Sequence, residues 1–451
     1  MDILIYILNK LKADYTDVFF EEKITNQLQM EENKIQRCSC LYDRGLGVRL
    51  IIDRIILYAY TNDLSKKGID ELVSTIKNYK GVRNSINLKK VNPINQFSIK
   101  SNPQNLPNSE KIKFVKRAND ISWLQSKKIR QVKVFYSDIT QNIKIANSEG
   151  YLTEEQRIYT LFLVHVTASE NNIIQTGYEV VGGLKGMELF EKNSPEEIAL
   201  IATNRAITML KARRVKGGRM PVVISSEAGG TMIHEAVGHG LEADLVQEGI
   251  SVYSEKIGEK VASELITVID DATLSNMRGS YVFDDEGIPS QKTVLIEKGV
   301  LVNYLYDRYT SMKEGKTSTG NGRRQSYEHY PIPRMSNTYI APGEHSPEAI
   351  IRSVDKGLFV KKMGGGQVNT VNGEFVFEVQ EGYMIEKGSI GEPVRGALLI
   401  GTGQKILMSI DMVGNDLGFS IGTCGKNAQA VPVTDGMPTV RIPEIVVGGE
   451  A

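Results

Sequence analysis

Two of the five histidines stand together in His234-Glu235-Ala236-Val237-Gly238-His239. Imidazoles flanking a carboxylate suggest a metal site, yet the spacing is one residue longer than the HExxH helix that holds zinc. Residues i and i+5 of a regular α-helix point about 140° apart, too far to share one ion. A π-bulge, or a break at Gly238 or Gly240, would bring both rings to one side. A catalytic zinc site takes three protein ligands and keeps a place for water. The candidates for the third are Glu242, Asp244, an acid further downstream, or a thiolate. Cys424 is preferred. It lies in Ser420-Ile421-Gly422-Thr423-Cys424-Gly425-Lys426, where the glycines suggest exposed backbone at a turn. Lys426 would help lower the thiol pKa from its ordinary value of about 8.5. Glu235 is then spare beside the metal, placed to take a proton from zinc-activated water and pass it to a leaving amine.

A plainer reading stands beside this one, with both histidines on a helix surface and Cys424 an inert buried thiol. The other histidines read as structural: His165 within an apolar strand, His329 and His345 in Pro/Gly-rich loops. Cys38 and Cys40 share one strand face, with nothing nearby to complete a metal set. Gly364-Gly365-Gly366-Gln367 and Gly401-Thr402-Gly403-Gln404 lack the strand–GxGxxG–helix setting of a phosphate cradle. Turns or close substrate approach are the expectation there, with Gly364, Gly365, Gly366 and Gln367 as candidate substrate-binding residues. Asp284-Asp285-Glu286 reads as a turn, with contact to a substrate amine or support of the site as the alternative.

The elements that must position these residues follow from hydrophobic periodicity. A short N-terminal helix leads into β-rich segments, and residues 65–80 carry apolar residues at helical spacing. About 82–111 is rich in Asn, Ser, Pro and Lys and reads as an extended loop. A helix is expected over about 111–131, followed by alternating strands. Ser194-Pro195-Glu196-Glu197 is a helix start, with cap, proline and acids in place, and that helix should run to about residue 212. The KGGRM segment after it marks the expected boundary, giving an N-terminal α/β domain (1–214) and a C-terminal β-rich domain (215–451). The fold class is α+β: a mixed α/β domain, then a large antiparallel β domain with a buried metal-binding helix.

The chain has 451 residues, with 54 basic and 54 acidic side chains. Zero net charge argues against nucleic-acid or membrane-surface binding by bulk electrostatics. Residues 1–140 hold 24 Lys and Arg against 15 Asp and Glu, so the remainder is correspondingly acidic. Three cysteines give no disulfide framework, and neither a signal peptide nor an apolar run of about 18 residues is visible. The expected location is the cytoplasm.

Several segments together resemble one known family, the TldD/PmbA metalloproteases, historically described as modulators of DNA gyrase. They are Arg44-Gly45-Leu46-Gly47-Val48-Arg49, HEAVGHGLEAD from His234, YVFDDEG from Tyr281, MGGGQVN from Met363, EGYMIEKG from Glu381, and GTCGKNAQAVPVTDGMPTVRI. The resemblance runs through the whole chain in order. It implies that His234, His239 and Cys424 bind zinc and that Glu235 is the catalytic acid/base. It also implies a dimer, commonly a TldD–TldE heterodimer, that cleaves unfolded or short peptides inside an enclosed cavity. The complete HExxxH is TldD-like. The competing expectation, a non-catalytic TldE-like peptide-binding or scaffold subunit, would not need two histidines, a glutamate and a cysteine. Peptide could add as a strand to a sheet edge, with the glycines at 364–366 allowing close approach.

Overall fold

Long alternating stretches in the first half of the chain become long antiparallel strands. The computed structural model describes residues 2–76, 86–93, 96–369 and 372–450. Helix α1 (Asp2–Lys10) precedes β1 (Tyr15–Glu31), β2 (Lys34–Ile52), β3 (Ile55–Thr61) and α2 (Lys66–Ile76). Then come α3 (Asn108–Leu124), β4 (Ile129–Asn147), β5 (Tyr151–Glu170), β6 (Ile173–Gly183) and α4 (Pro195–Leu210). The sheet order is β3-β2-β1-β4-β5, with β6 and a two-residue strand, Lys89–Lys90, both on the outer edge of β5. Two-residue turns at Glu32–Asn33 and Asn171–Asn172, all at positive φ, set the hairpin registers.

Alternation sends one set of side chains under the helices. Leu28, Val134, Phe162 and Val164 pack with α3 and α4, while Val18, Val48 and Ala146 pack with α1 and α2. The capping box at Ser194 and Glu197 starts α4 as expected. One expectation shifts in detail. The helix expected over 111–131 begins at Asn108 and ends at Leu124. Within the expected loop 82–111, residues 86–93 and 96–107 hold only Lys89–Lys90 and a 3₁₀ turn at Pro103–Asn105. Residues 77–80 of the expected helix, and 82–85 and 94–95 of the loop, lie outside the described residues.

In the second half, β7 (Gly218–Ile224), β8 (Val268–Asp271), β9 (Lys292–Glu297) and β10 (Asn337–Ile340) precede β11 (Lys356–Val368) and β12 (Glu374–Glu386). They are followed by β13 (Leu398–Thr402), β14 (Gly418–Lys426), β15 (Gln429–Met437) and β16 (Val440–Gly448). Strands β9, β8, β10, β15 and β14 are neighbours in one sheet, with β14 at its end. Strands β11, β7, β16, β13 and β12 pair in turn, and β12 pairs back to β11, closing a barrel. The expected antiparallel pattern gives way at β10–β15 and β7–β11, which are parallel. Each of these pairs is joined by a long crossover, which parallel pairing requires.

The other face of the N-terminal sheet meets the second half through buried charge. Arg49 Nε donates to Asp17 Oδ2 at 2.7 Å, and Arg49 lies 2.7 Å from Glu286 Oε1. Arg157 reaches Asp285 at 2.8 Å. The 284–286 segment does form a turn, with Gly287 N–H on the Asp284 carbonyl, and it also supplies these partners. Gly47, in the RGLGVR segment, must lack a side chain. A Cβ there would sit 1.8 Å from the Tyr58 hydroxyl and 2.4 Å from the Tyr327 carbonyl.

Arg49, Asp17 and Glu286 are fully buried, so Arg49→Ala takes the paired cation from Glu286 and leaves Asp17 with only the longer contact to Arg324. Urea unfolding should register a loss of about 3–5 kcal/mol. A loss below about 1 kcal/mol would mean the carboxylates find water or protons instead.

Candidate metal centre

The histidines sit on a short helical segment wedged between the barrel and the β14–β15 hairpin. Ile233 and Val237 belong to the same core as Val222, Phe375 and Val433. The segment is one turn of α-helix (Thr231–Ile233), a π turn (His234–Gly238), then a 3₁₀ turn (His239–Leu241). His239 N–H donates to the His234 carbonyl, an i→i+5 bond. That wider turn brings the rings together, with centroids 5.0 Å apart. The distortion expected from the spacing is therefore present. Its glycine acts by packing: Gly238 has helical φ of −55°, but a Cβ would lie 1.9 Å from Met335 Sδ.

Cys424 arrives from β14. Its Sγ is 3.4 Å from His239 Nε2, and one ligand atom from each of His234, His239 and Cys424 lies within 4.8 Å of the others. All three are buried. Zn–N near 2.0 Å and Zn–S near 2.3 Å at a tetrahedral angle place N and S roughly 3.5 Å apart. The two Nδ1 atoms are already engaged: His234 with Asp435 Oδ1 at 2.7 Å, His239 with Glu242 Oε2 at 3.0 Å. Only Nε2 faces the shared point on each ring. Two imidazoles and a thiolate, each imidazole braced by a carboxylate, fit zinc.

Two expectations about Cys424 need correction. It lies within a strand and not at a turn; the turn is at Asn427–Ala428, and Cys424 is 2% exposed. Lys426 does not serve the thiol. Its Nζ is spent on Glu242 Oε2 at 2.9 Å and Asp244 Oδ1 at 2.7 Å. Burial pushes the thiol pKa up, but hydrogen bonds from His234 and His239 override this and bring it down to about 6. Burial likewise opposes charge on both imidazoles, and the carboxylates win: Asp435 holds His234 well above its usual range, and Glu242 brings His239 to about 9. Glu242 and Asp244, weighed as ligands, are instead occupied with Lys426, and Glu242 also with His239.

Glu235, partly exposed, lines a cavity of about 200 Å³ with His234, Thr231, Lys362, Ser420 and Thr423. Of the 363–367 segment only Met363 reaches this cavity. Gln367 lines a second, more open cavity, and Gly366 makes room for the Phe377 ring. Gly365 is exposed, with open space where a side chain would stand. His165 lies within β5, His329 touches Ser326, and His345 touches the Val413 carbonyl, all away from the site. Cys38 and Cys40 are exposed on β2. Asp435 is the residue that sequence reading passed over. Its one signal was an acid inside the apolar strand VPVTDGM.

The chain belongs to the PmbA/TldD metallopeptidase family. Models described as the PmbA/TldA metallopeptidase domain 1, central domain and C-terminal domain match residues 16–78, 101–210 and 217–449. A "Metalloprotease TldD homolog" of Haemophilus influenzae is 35% identical, covering 98% of this chain and 94% of that protein. A "Zinc metalloprotease TldD homolog" of Saccharolobus solfataricus is 29% identical over 98% of each. In fold, the crystal structure of TldE from Thermococcus kodakarensis superposes with a TM-score of 0.78 at 18% identity, covering 99% of each chain. No helix among the described residues is long and apolar enough to cross a membrane.

With metal removed by a chelator, the thiolate of Cys424 should form above pH 6, not near the ordinary 8.5. The difference in 240 nm absorbance between wild type and Cys424→Ser reads this directly. A midpoint above pH 8 would show that the imidazoles do not stabilise the thiolate. Asp435→Asn should weaken zinc binding by about 10–100-fold in a competitive chelator titration. Unchanged affinity would deny Asp435 that role.

Proposed function

We propose that this protein is a zinc-dependent peptidase of unfolded or short peptides. The observation that carries the reading is the convergence of His234, His239 and Cys424, with His234 and the adjacent Glu235 in the wall of one cavity. His234 and His239 would hold zinc through Nε2, and Cys424 through its thiolate. When bound, zinc supplies Lewis acidity and lowers the pKa of a bound water to about 7. Glu235 follows His234 in the π turn, and its carboxylate takes up a proton and returns it to the departing amine. Asp435 and Glu242 keep each imidazole oriented by accepting its Nδ1 proton.

A narrow cavity suits an extended chain and excludes a folded domain. Strand β14 ends its sheet, and its residues 420–423 form one wall of that cavity. This favours β14 as the edge to which a peptide adds as a strand, using backbone bonds that read little sequence. Gly364, Gly365, Gly366 and Gln367 are kept as substrate-contacting candidates further along the peptide path. In this reading the chain divides at 214/215 and works in the cytoplasm. It acts as a homodimer or with a TldE-like partner that completes the enclosure, and binds neither nucleic acid nor membrane.

Elemental analysis of the purified protein beside His234→Ala and Cys424→Ser is the direct test. About one zinc per chain is expected, lost or sharply reduced in both variants. No metal in the wild type, even after zinc addition, would favour the non-catalytic, TldE-like subunit. Glu235→Gln should retain zinc and lose about 10²–10⁴-fold in peptide turnover. Substantial residual turnover would remove Glu235 from the mechanism.

A further inference from the structure

A second cavity, of about 490 Å³, lies between the outer face of the N-terminal sheet and the β14–β15 hairpin. Thr423 belongs to the walls of both cavities, so the second lies beside the metal centre. Its charge is one-sided. Lys23, Arg157, Arg278, Arg323 and Arg324 line it, against a single carboxylate, Asp285. Three of these cations are compensated. Lys23 pairs with Glu21 at 3.1 Å, Arg157 with Asp285 and Glu155, and Arg324 reaches Asp17 at 3.4 Å.

Arg278 and Arg323 are different: neither forms an ion pair with a carboxylate among the described residues. Arg323, 2% exposed, donates to the carbonyls of Met335 at 2.6 Å and Pro432 at 2.7 Å. Arg278 donates to the Gly422 carbonyl at 3.1 Å and lies 3.5 Å from the Thr423 hydroxyl. Burial pulls Arg278 below the usual guanidinium range; Tyr159 opposes this, and the nearby Arg323 adds to it. Two sheltered guanidinium groups without an anion are costly unless an anion joins them. Their planar forks match a carboxylate, bidentate, better than any other peptide group.

We infer that this cavity is an anion subsite that receives a carboxylate of the bound peptide through Arg278 and Arg323. The inference rests on the peptidase reading for the presence of a peptide. Thr423 precedes Cys424 on β14, and a strand advances about 3.3 Å per residue. A peptide lying along β14 would therefore reach the subsite within a few residues of its scissile bond. The carboxylate has two sources, a free C-terminus or an Asp or Glu side chain.

Calorimetry on full-length, zinc-loaded Glu235→Gln protein separates them. The probes are acetyl-pentaalanine with a free C-terminus, its C-terminal amide, and the amide carrying Glu at each position in turn. The free acid, or one Glu peptide, should bind at least tenfold more tightly than the neutral amide. Adding Arg278→Gln should reduce that preference to about twofold or less. Arg278→Lys, which keeps the charge without the fork, should leave an intermediate preference and serves if the Gln variant melts early. Tighter binding by the free acid assigns the C-terminus, and by a Glu peptide a side chain. Equal binding of every probe, or a preference untouched by both Arg278 variants, overturns the inference. Charge-selective binding in a protein whose wild type cleaves nothing would keep the subsite and sink the peptidase reading. Cleavage without charge preference would do the reverse.

Discussion

The candidate metal centre depends on one hydrogen bond, from the His239 amide to the carbonyl of His234, five residues earlier. An ordinary helical bond at this position would tighten the turn and swing the rings apart. The widened turn is held from outside. Met335 fills the space that a side chain at Gly238 would need, and Ile233 and Val237 are locked into the same core as Met335. A π turn is a poor use of backbone unless tertiary contacts stabilise it. Here those contacts come from the barrel and the hairpin, so the geometry of two imidazoles is set by the whole second half of the chain.

Charge is balanced in layers around that turn. Asp435 and Glu242 each take one imidazole Nδ1, and the two braces differ in what stands behind them. Glu242 is buried against Lys426, with Arg334 about 4.0 Å away, and its pKa is held at about 2 by those cations and His239 despite burial. The ion pair between His234 and Asp435 is the only one in which Asp435 takes part among the described residues. The His239 arm is thus buttressed by a second row of charge, while the His234 arm, beside the cavity and Glu235, has a single anchor.

Much of this could be read along the chain, and the limits have physical causes. The need for a π turn or a helix break followed from helix arithmetic applied to His234 and His239, and the thiol stood out by residue type. Lys426 was misjudged because proximity in sequence carries no information about Glu242 and Asp244, which reach it from another element. Asp435 could not be paired with His234 without the register of β14 and β15. The parallel strand pairs escaped notice for a related reason, since each joins segments more than 80 residues apart. The ionic contact of Arg49 with Glu286 likewise joins residues from opposite halves.

The β14–β15 hairpin carries more than one strand pair. Its two-residue turn places Asn427 and Ala428 both at positive φ, an unusual demand on alanine. The same hairpin presents Cys424 to the histidines, Asp435 to His234, and Thr423 to the neighbouring cavity. Side chains alternate along a strand, so a slip of one residue would turn Cys424 toward solvent and aim Thr423, a far weaker ligand, at the metal position. The turn thereby acts as a ratchet stop for the candidate metal centre: two residues outside the neighbouring cavity determine which face of the strand meets the histidines.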